Sequence, residues 1–194
     1  MSVFNSLKNF GICGAAMFLI FTAAGCGSDT PTETKPPVTE TNTSATEENL
    51  IGRWYSVERD SSGVATAITI LDIASEKSAT LQTFNLTANK FAENEPVKIF
   101  WQIGNVQADI KRSGKNLTLT AAGMEDLELL KLKFDGQKIS GDKMTFTKEN
   151  FDVENLRTES LNQYAKNIGG AEVIADMTQA EYKDYINQKI FGIQ

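Results

Sequence analysis

The run Val97-Lys98-Ile99-Phe100-Trp101-Gln102-Ile103 places its odd-numbered apolar residues on one face of an extended chain, with Lys98 and Gln102 on the other. The same alternation recurs at residues 106–111, 117–120, 130–134 and 143–147. One apolar and one polar face are typical of antiparallel strands with one solvated side. The pattern therefore predicts a mainly β domain.

Short turn-forming stretches separate these strands. They are Asp60-Ser61-Ser62-Gly63, Gly104-Asn105, Ser113-Gly114-Lys115-Asn116, Asp135-Gly136 and Gly141-Asp142. Gly, Asn and Asp tolerate the positive φ that tight hairpin turns require. Further strands are expected at residues 52–59, 66–73 and 78–86, so that eight or nine short strands follow one another. Closure removes the edges of such a meander, and we predict an antiparallel up-and-down barrel of eight strands over residues 50–148.

Beyond residue 148 the apolar spacing becomes helical. One set has the spacing i, i+3, i+4, i+7 and ends at Gly169-Gly170: Leu161, Tyr164, Ala165 and Ile168. Thr178 and Glu181 have the spacing of a capping box, and a second apolar face follows: Tyr182, Tyr185, Ile186 and Ile190. We predict two C-terminal α-helices within residues 149–194 that pack on the barrel. Docking of their tyrosine-bearing faces on a partner protein stays open as an alternative.

Two stretches carry a family resemblance. Gly52-Arg53-Trp54 at the start of the first strand resembles the Gly-x-Trp opening of lipocalins and bacterial lipocalin-like domains. Trp101-Gln102-Ile103-Gly104-Asn105 resembles the aromatic-x-Ile-x-Asn hairpin of the small bacterial versions. The resemblance covers about residues 49–148 and implies a lipocalin-like barrel that binds a small apolar ligand inside.

The apolar faces of the strands supply the candidate ligand-binding residues. These are Trp54, Ile99, Trp101, Ile103, Leu130, Leu132 and Phe134. The carrier hypothesis predicts a cavity under Trp54 and Trp101. Core packing is the alternative, because an eight-stranded barrel is just wide enough either to be filled by side chains or to hold one small ligand.

The N-terminus has the order of a secretory signal peptide. One charge, Lys8, precedes an apolar segment at residues 10–24 that contains no charged residue. A membrane-spanning helix needs about 20 apolar residues. This segment is shorter and is interrupted by Gly11 and Gly14. We therefore predict a signal peptide over residues 1–25.

The end of that segment, Ala23-Ala24-Gly25-Cys26, resembles the lipobox of bacterial lipoproteins. In that family the chain is cut before the cysteine, which then carries a thioether-linked diacylglycerol and usually an amide-linked acyl chain such as palmitate. The resemblance implies that Cys26 is the lipidation site, and two or more acyl chains anchor a protein stably. Gly27 is not the Asp that retains such proteins in the inner membrane of enteric bacteria, which favours the outer membrane of a bacterial cell envelope. An ordinary signal peptide with Cys26 merely nearby is the alternative.

The segment between Cys26 and the strands is rich in Thr, Ser, Glu and Pro and has almost no large apolar residue. Such a segment does not bury enough surface to offset the entropy of ordering it. We predict a disordered spacer over residues 26–49, behind the lipid anchor, and a single folded domain over residues 50–194.

Composition excludes several classes of function. The net charge of −6 becomes one unit more negative when residues 1–25 are removed, because Lys8 is lost. An acidic protein is a poor match for nucleic acid, and its charge argues against docking on anionic lipid. The sequence has no His, and the mature chain keeps Cys26 as its one Cys. This excludes a disulfide framework, a Cys/His zinc site and a His-based catalytic triad within the chain.

The remaining chemistry would rest on carboxylates. Glu125, Asp126 and Glu128 lack the spacing of a calcium-binding loop, so we interpret them as a solvated loop. We expect no catalytic residue, metal or cofactor. Three functions stay open: a carrier of a small apolar ligand, a structural or protein-interaction lipoprotein with a packed barrel and an envelope partner, and a remote alternative, a carboxylate-dependent hydrolase. The two non-catalytic functions are favoured, although fold alone does not specify a ligand.

Overall fold

The computed structural model describes residues 50–141 and 143–192. Eight antiparallel strands neighbour one another in sequence order, which confirms the predicted up-and-down meander. They are β1 (Gly52–Arg59), β2 (Ala65–Ser75), β3 (Ser78–Asn89), β4 (Lys98–Ser113), β5 (Asn116–Ala121), β6 (Met124–Phe134), β7 (Ile139–Ser140) and β8 (Thr145–Phe146). The predicted signal peptide, the lipidation site Cys26 and the spacer that ends at residue 49 lie outside the described residues.

The meander curls until β1 meets the chain just after β8. The N–H of Tyr55 donates to the main-chain oxygen of Thr147 at 2.8 Å, and the N–H of Thr147 donates back at 2.9 Å. This pair of hydrogen bonds makes a nearly closed eight-stranded barrel, as predicted from the need to remove sheet edges.

One predicted turn is wrong. Gly104-Asn105 lies inside β4, whose pairing with β3 runs without a break from Ser78↔Asp109 to Asn89↔Lys98. The hairpin resemblance of residues 101–105 is therefore not realised, and the chain turns at residues 90–97 instead. The reason is that the apolar face of β4 changes side near Gly104, so one long strand looks like two short ones.

Two helices follow the barrel, as predicted. Helix α1 (Val153–Ile168) begins after Asp152, whose carboxylate accepts from the N–H of Asn155 at 3.0 Å, and it ends at Gly169. Helix α2 (Gln179–Ile186) starts with the predicted capping box of Thr178 and Glu181, and a π-helical turn (Asn187–Phe191) continues it. No helix in the described part of the chain combines the length and the hydropathy needed to cross a membrane.

Two short strands between the helices were not predicted. Strands β9 (Glu172–Val173) and β10 (Met177–Thr178) pair in parallel with the first half of β4, whereas the second half of β4 pairs with β5. An ion pair between Lys98 and Glu172 joins β4 to β9. Two-residue strands have no periodicity of their own, so the alternation that identifies longer strands does not reveal them.

The strands bury apolar side chains on both faces. Trp54 and Tyr55 are neighbours in β1 and therefore point to opposite sides of the sheet. Trp54 belongs to the cluster inside the barrel, with Leu71, Ile73, Ala79, Ala108, Ile110, Leu117, Leu119, Leu132, Phe134, Ile139 and Phe146. Tyr55 belongs to a second cluster beneath α1, with Ile68, Ile70, Phe84 and Trp101.

Candidate functional site

The barrel interior is occupied by its own side chains around Trp54. This indole is almost completely buried and donates its N–H to the main-chain oxygen of Leu50 at 2.8 Å. The ring of Phe134 meets it edge-on, with ring centres 5.7 Å apart and planes at 80°. Leu132 is buried in the same cluster, and Leu130 packs against it. The structure brings these four predicted residues together in one packed cluster.

Trp101 lies on the other side of the sheet. It is fully buried beneath α1, where its indole N–H donates to the main-chain oxygen of Arg157 at 3.0 Å. Ile103 packs in the same cluster, and Leu156 of α1 covers it. Ile99 is also fully buried, and strand alternation places it on the same side as Trp101.

The structure thus divides six of the seven predicted residues between two clusters, and Ile99 lies on the side of Trp101 by strand alternation. Trp54, Leu130, Leu132 and Phe134 lie in or against the barrel interior, and the three from β4 face α1. The sequence prediction of one cavity under Trp54 and Trp101 does not match this arrangement. Alternation continues through Gly104, so the β4 residues that face the interior are Ala108 and Ile110 rather than Trp101.

Arg157 is a buried cation beside the cluster beneath α1, which we call the outer cluster. Its guanidinium lies over the ring of Phe84, 4.6 Å from the ring centre. Its Nη1 pairs with Glu154 at 2.7 Å, and its Nη2 pairs with Asp176 in the segment between β9 and β10. Its Nε has no hydrogen-bond partner among the described residues. A buried charge is tolerated where it is paired, so these carboxylates offset the cost of burying the guanidinium.

An open cleft of about 470 Å³ lies between α1 and the turn that joins β1 to β2. Val64 and Ser160 are buried in its floor, beside Leu156. Its rim is polar: Arg59, Ser62, Glu159, Asn162, Gln163 and Lys166. A polar rim around a partly apolar floor offers hydrogen bonds to a bound chain and apolar contact beneath it.

Sequence reasoning missed this cleft. Its residues come from a turn and from the polar side of α1, and neither stretch carries a chemical motif. The one local signal is Ser160, a small polar residue on the apolar face of α1, four residues after Leu156 and four before Tyr164.

The predicted acidic loop is a strand. Glu125, Asp126 and Glu128 belong to β6 and are exposed. Glu125 pairs with Lys111 at 2.9 Å, and Glu128 pairs with Lys131 at 3.0 Å. Within the described residues, no three Asp, Glu, Cys or His side chains are grouped so that they would hold a metal ion.

The ionisable groups with shifted pKa values have roles in local structure. The hydroxyl and N–H of Ser62 and the N–H of Val64 lower the pKa of Asp60. The N–H groups of Lys138 and Gln137 lower the pKa of Asp135, and Thr178 lowers that of its capping partner Glu181. Glu172 raises the pKa of Lys98, and Asp72 raises that of Arg53. The three carboxylates therefore stabilise two turns and a helix start.

Comparison with known proteins adds little to this picture. No protein-family model matches the chain, and no curated protein is significantly similar to it. A matching solved structure is the crystal structure of a lipoprotein, YedD, from Klebsiella pneumoniae subsp. pneumoniae MGH 78578. It has 14% sequence identity and a TM-score of 0.34, over 60% of this chain and 85% of that chain. Likeness at this level does not establish a shared fold.

Proposed function

We propose that the chain is a bacterial envelope lipoprotein, anchored through Cys26, whose barrel has a non-catalytic binding role on its outer surface. The observation that carries this proposal is the packing inside the barrel: Trp54 and Phe134 meet edge-on within one buried cluster, and the indole N–H of Trp54 is bound to Leu50. A protein-interaction lipoprotein is therefore favoured over a carrier of a small apolar ligand. Gly27, the residue after the lipobox cysteine, favours the outer membrane.

The position of the cleft supports a surface role. The described chain begins at Leu50, just before β1, and the cleft lies at Arg59 and Val64, just after β1. Eight residues of strand span about 26 Å, at about 3.3 Å per residue. A spacer attached at Leu50 would therefore leave the cleft facing away from the membrane, where an envelope partner would reach it.

The chemistry of the cleft favours a protein segment as the partner. Charges of both signs lie on the rim, with Arg59 and Lys166 opposed by Glu159. Asn162 and Gln163 add amide donors and acceptors of the kind that bind a peptide main chain. Interfaces between proteins typically have such a polar rim around an apolar centre.

The carboxylates support a non-catalytic role. A general acid in a glycoside hydrolase needs a raised pKa. Asp60, Asp135 and Glu181 shift downward, because turns and a helix cap donate hydrogen bonds to them. This is the behaviour of structural carboxylates.

The lipid anchor is tested by the intact mass of the protein from its own host. We expect a chain that begins at Cys26 and carries a diacylglycerol and an acyl group. Cys26→Ser should keep the signal peptide and lose the acyl mass. A mature chain cut at another residue, or one without acyl groups, would refute the anchor.

The surface role is tested by a photo-crosslinking residue placed at Gln163 in the cleft, with Gln188 in the π-helical turn as the matched exposed control. We expect one discrete protein adduct at Gln163 and none at Gln188, with loss of the adduct in Lys166→Glu. Native mass spectrometry of the same protein tests the rival function. A co-purifying apolar molecule that is lost in Trp54→Arg, while Trp101→Arg retains it, would establish a carrier instead.

A further inference from the structure

We propose that the end of the barrel at which the chain enters is a docking surface for a bilayer that contains anionic phospholipid. The inference rests on the proposed lipid anchor, because only a tethered domain remains near a membrane. It adds an orientation: the barrel stands on this end, with the cleft outward.

The register places three turns and the chain entry at one end. Gly52 pairs with Ile73, so the start of β1 lies beside the end of β2. The N–H of Ile110 donates to the main-chain oxygen of Lys77 at 2.9 Å, which brings the β2–β3 turn against β4. The N–H of Phe134 likewise donates to the oxygen of Lys115 at 2.7 Å, which joins the β4–β5 turn to the end of β6.

Lys148 completes this end, because its Nζ donates to the main-chain oxygen of Ile51 at 3.1 Å. We call the surface the basic end and define it by its cations: Lys77, Arg112, Lys115, Lys133, Lys138 and Lys148. All are exposed except Arg112, which is half-buried. Three exposed acids lie among them, Glu76, Asp135 and Glu149, so the basic end keeps a positive surplus.

The acidic composition of the chain conceals this surplus. The opposite rim, where β1 turns into β2, carries Glu58 and Asp60. Charges more than about 10 Å apart are largely screened at physiological salt, so a flat membrane responds to the end nearest to it and not to the net charge. The expectation that net charge prevents docking on anionic lipid therefore does not apply to this end.

The position of the tether favours a bilayer over a soluble anion or an acidic protein. The spacer predicted for residues 26–49 would have a root-mean-square length of about 25–30 Å if it behaves as a flexible coil. It joins the domain at Leu50, directly beside Lys148 and the exposed Ile51. A tether converts docking into an intramolecular event, so even a weak attraction by a few lysines is sufficient to orient the domain.

The test compares lysine reactivity along the barrel. The mature chain is held on vesicles by its acyl groups or, if Cys26 proves unlipidated, by a maleimide lipid on that single cysteine. An amine-reactive label is followed by mass spectrometry at Lys77, Lys115 and Lys138. Three exposed lysines serve as internal controls: Lys90 on the β3–β4 turn, Lys183 in α2 and Lys189 in the π-helical turn.

On phosphatidylglycerol-containing vesicles we expect labelling of the basic end to slow on the order of fivefold relative to the control lysines. The difference should be absent on phosphatidylcholine vesicles. It should also vanish in 1 M salt, where the screening length is about 3 Å. Equal labelling of both sets on anionic vesicles would overturn the proposal, whereas the mass at Cys26 reports separately on the anchor.

A matched pair of triple variants gives a second measurement. Lys77→Glu/Lys115→Glu/Lys138→Glu should abolish the protection of Lys133, which remains at the basic end. Lys90→Glu/Lys183→Glu/Lys189→Glu changes the net charge equally and should retain that protection. Loss of protection in both variants would assign the effect to overall charge and overturn the orientation.

Discussion

The indole N–H of Trp101 donates to the main-chain oxygen of Arg157 at 3.0 Å, across 56 residues of sequence. The bond joins β4 to α1 inside the outer cluster. The side chain of Arg157 then pairs with Asp176, ahead of β10. A strand, a helix and the C-terminal segment are therefore connected through one residue.

Trp101→Phe should remove this connection while keeping an aromatic ring in place. The oxygen of Arg157 keeps its helical donor, the N–H of Leu161 within α1, so the change removes one buried hydrogen bond and costs about 0.5–1.5 kcal/mol. We expect a lower urea midpoint and faster hydrogen exchange in α1. Trp54→Phe is the control, because it leaves the oxygen of Leu50 without a donor but lies on the other face of the sheet. Unchanged exchange in α1 in the Trp101 variant would contradict the assignment.

Asp176→Asn alone should destabilise the domain more than a double variant that also removes the positive charge of Arg157. It leaves the buried guanidinium of Arg157 with Glu154 as its one remaining carboxylate partner among the described residues. We expect a loss of about 2 kcal/mol in the free energy of unfolding, less than for a fully buried pair, because Asp176 is 33% exposed. Arg157→Met/Asp176→Asn should recover part of the loss in urea unfolding. Equal stability of the single and double variants would show that the pair is energetically neutral.

Gly104→Ala should destabilise the junction of β3, β4 and α2. An added Cβ would lie 2.7 Å from Thr83 Oγ1 and 2.9 Å from Gln179 Nε2. Overpacking of this kind costs about 1–3 kcal/mol. Thr83→Ala in the same chain removes the closer atom and should restore most of the thermal midpoint. If the double variant remains as unstable as Gly104→Ala, the clash is not the cause.

The turn carboxylates make stability depend on pH at the acid end. The pKa values of Asp60 and Asp135 are lower in the folded chain than their ordinary value of 3.8, so the unfolded chain binds protons more readily. Their contribution is present above about pH 5 and is lost as pH falls through the folded values. Asp60→Asn/Asp135→Asn should therefore lose less stability than the wild type between pH 6 and pH 3, as measured by urea unfolding. An equal loss would exclude these two carboxylates as its source.

Sequence reasoning predicted the barrel because residues such as Leu130, Leu132 and Phe134 alternate on one face, and it predicted α2 because Thr178 and Glu181 cap it locally. It separated β4 at Gly104 because α1 covers one face of the first half, whereas the barrel interior receives the other face of the second half. Which face of β4 is buried in each half depends on where α1 packs, and no local sequence pattern specifies this. The cleft has the same origin, since Val64 and Ser160 meet only in the folded chain.

The parallel pairing of β4 with β9 and β10 imposes an order on assembly. Glu172 follows Lys98 by 74 residues in the sequence. The first half of β4 therefore gains its second neighbouring strand only when the C-terminal segment has been made. During synthesis the N-terminal part emerges first, and this half of β4 then presents an open row of main-chain donors and acceptors. Such an edge is a template for pairing with neighbouring chains. A nascent chain that stops short of Glu172 is therefore the form most prone to aggregate, and the C-terminal segment protects the barrel from its own copies.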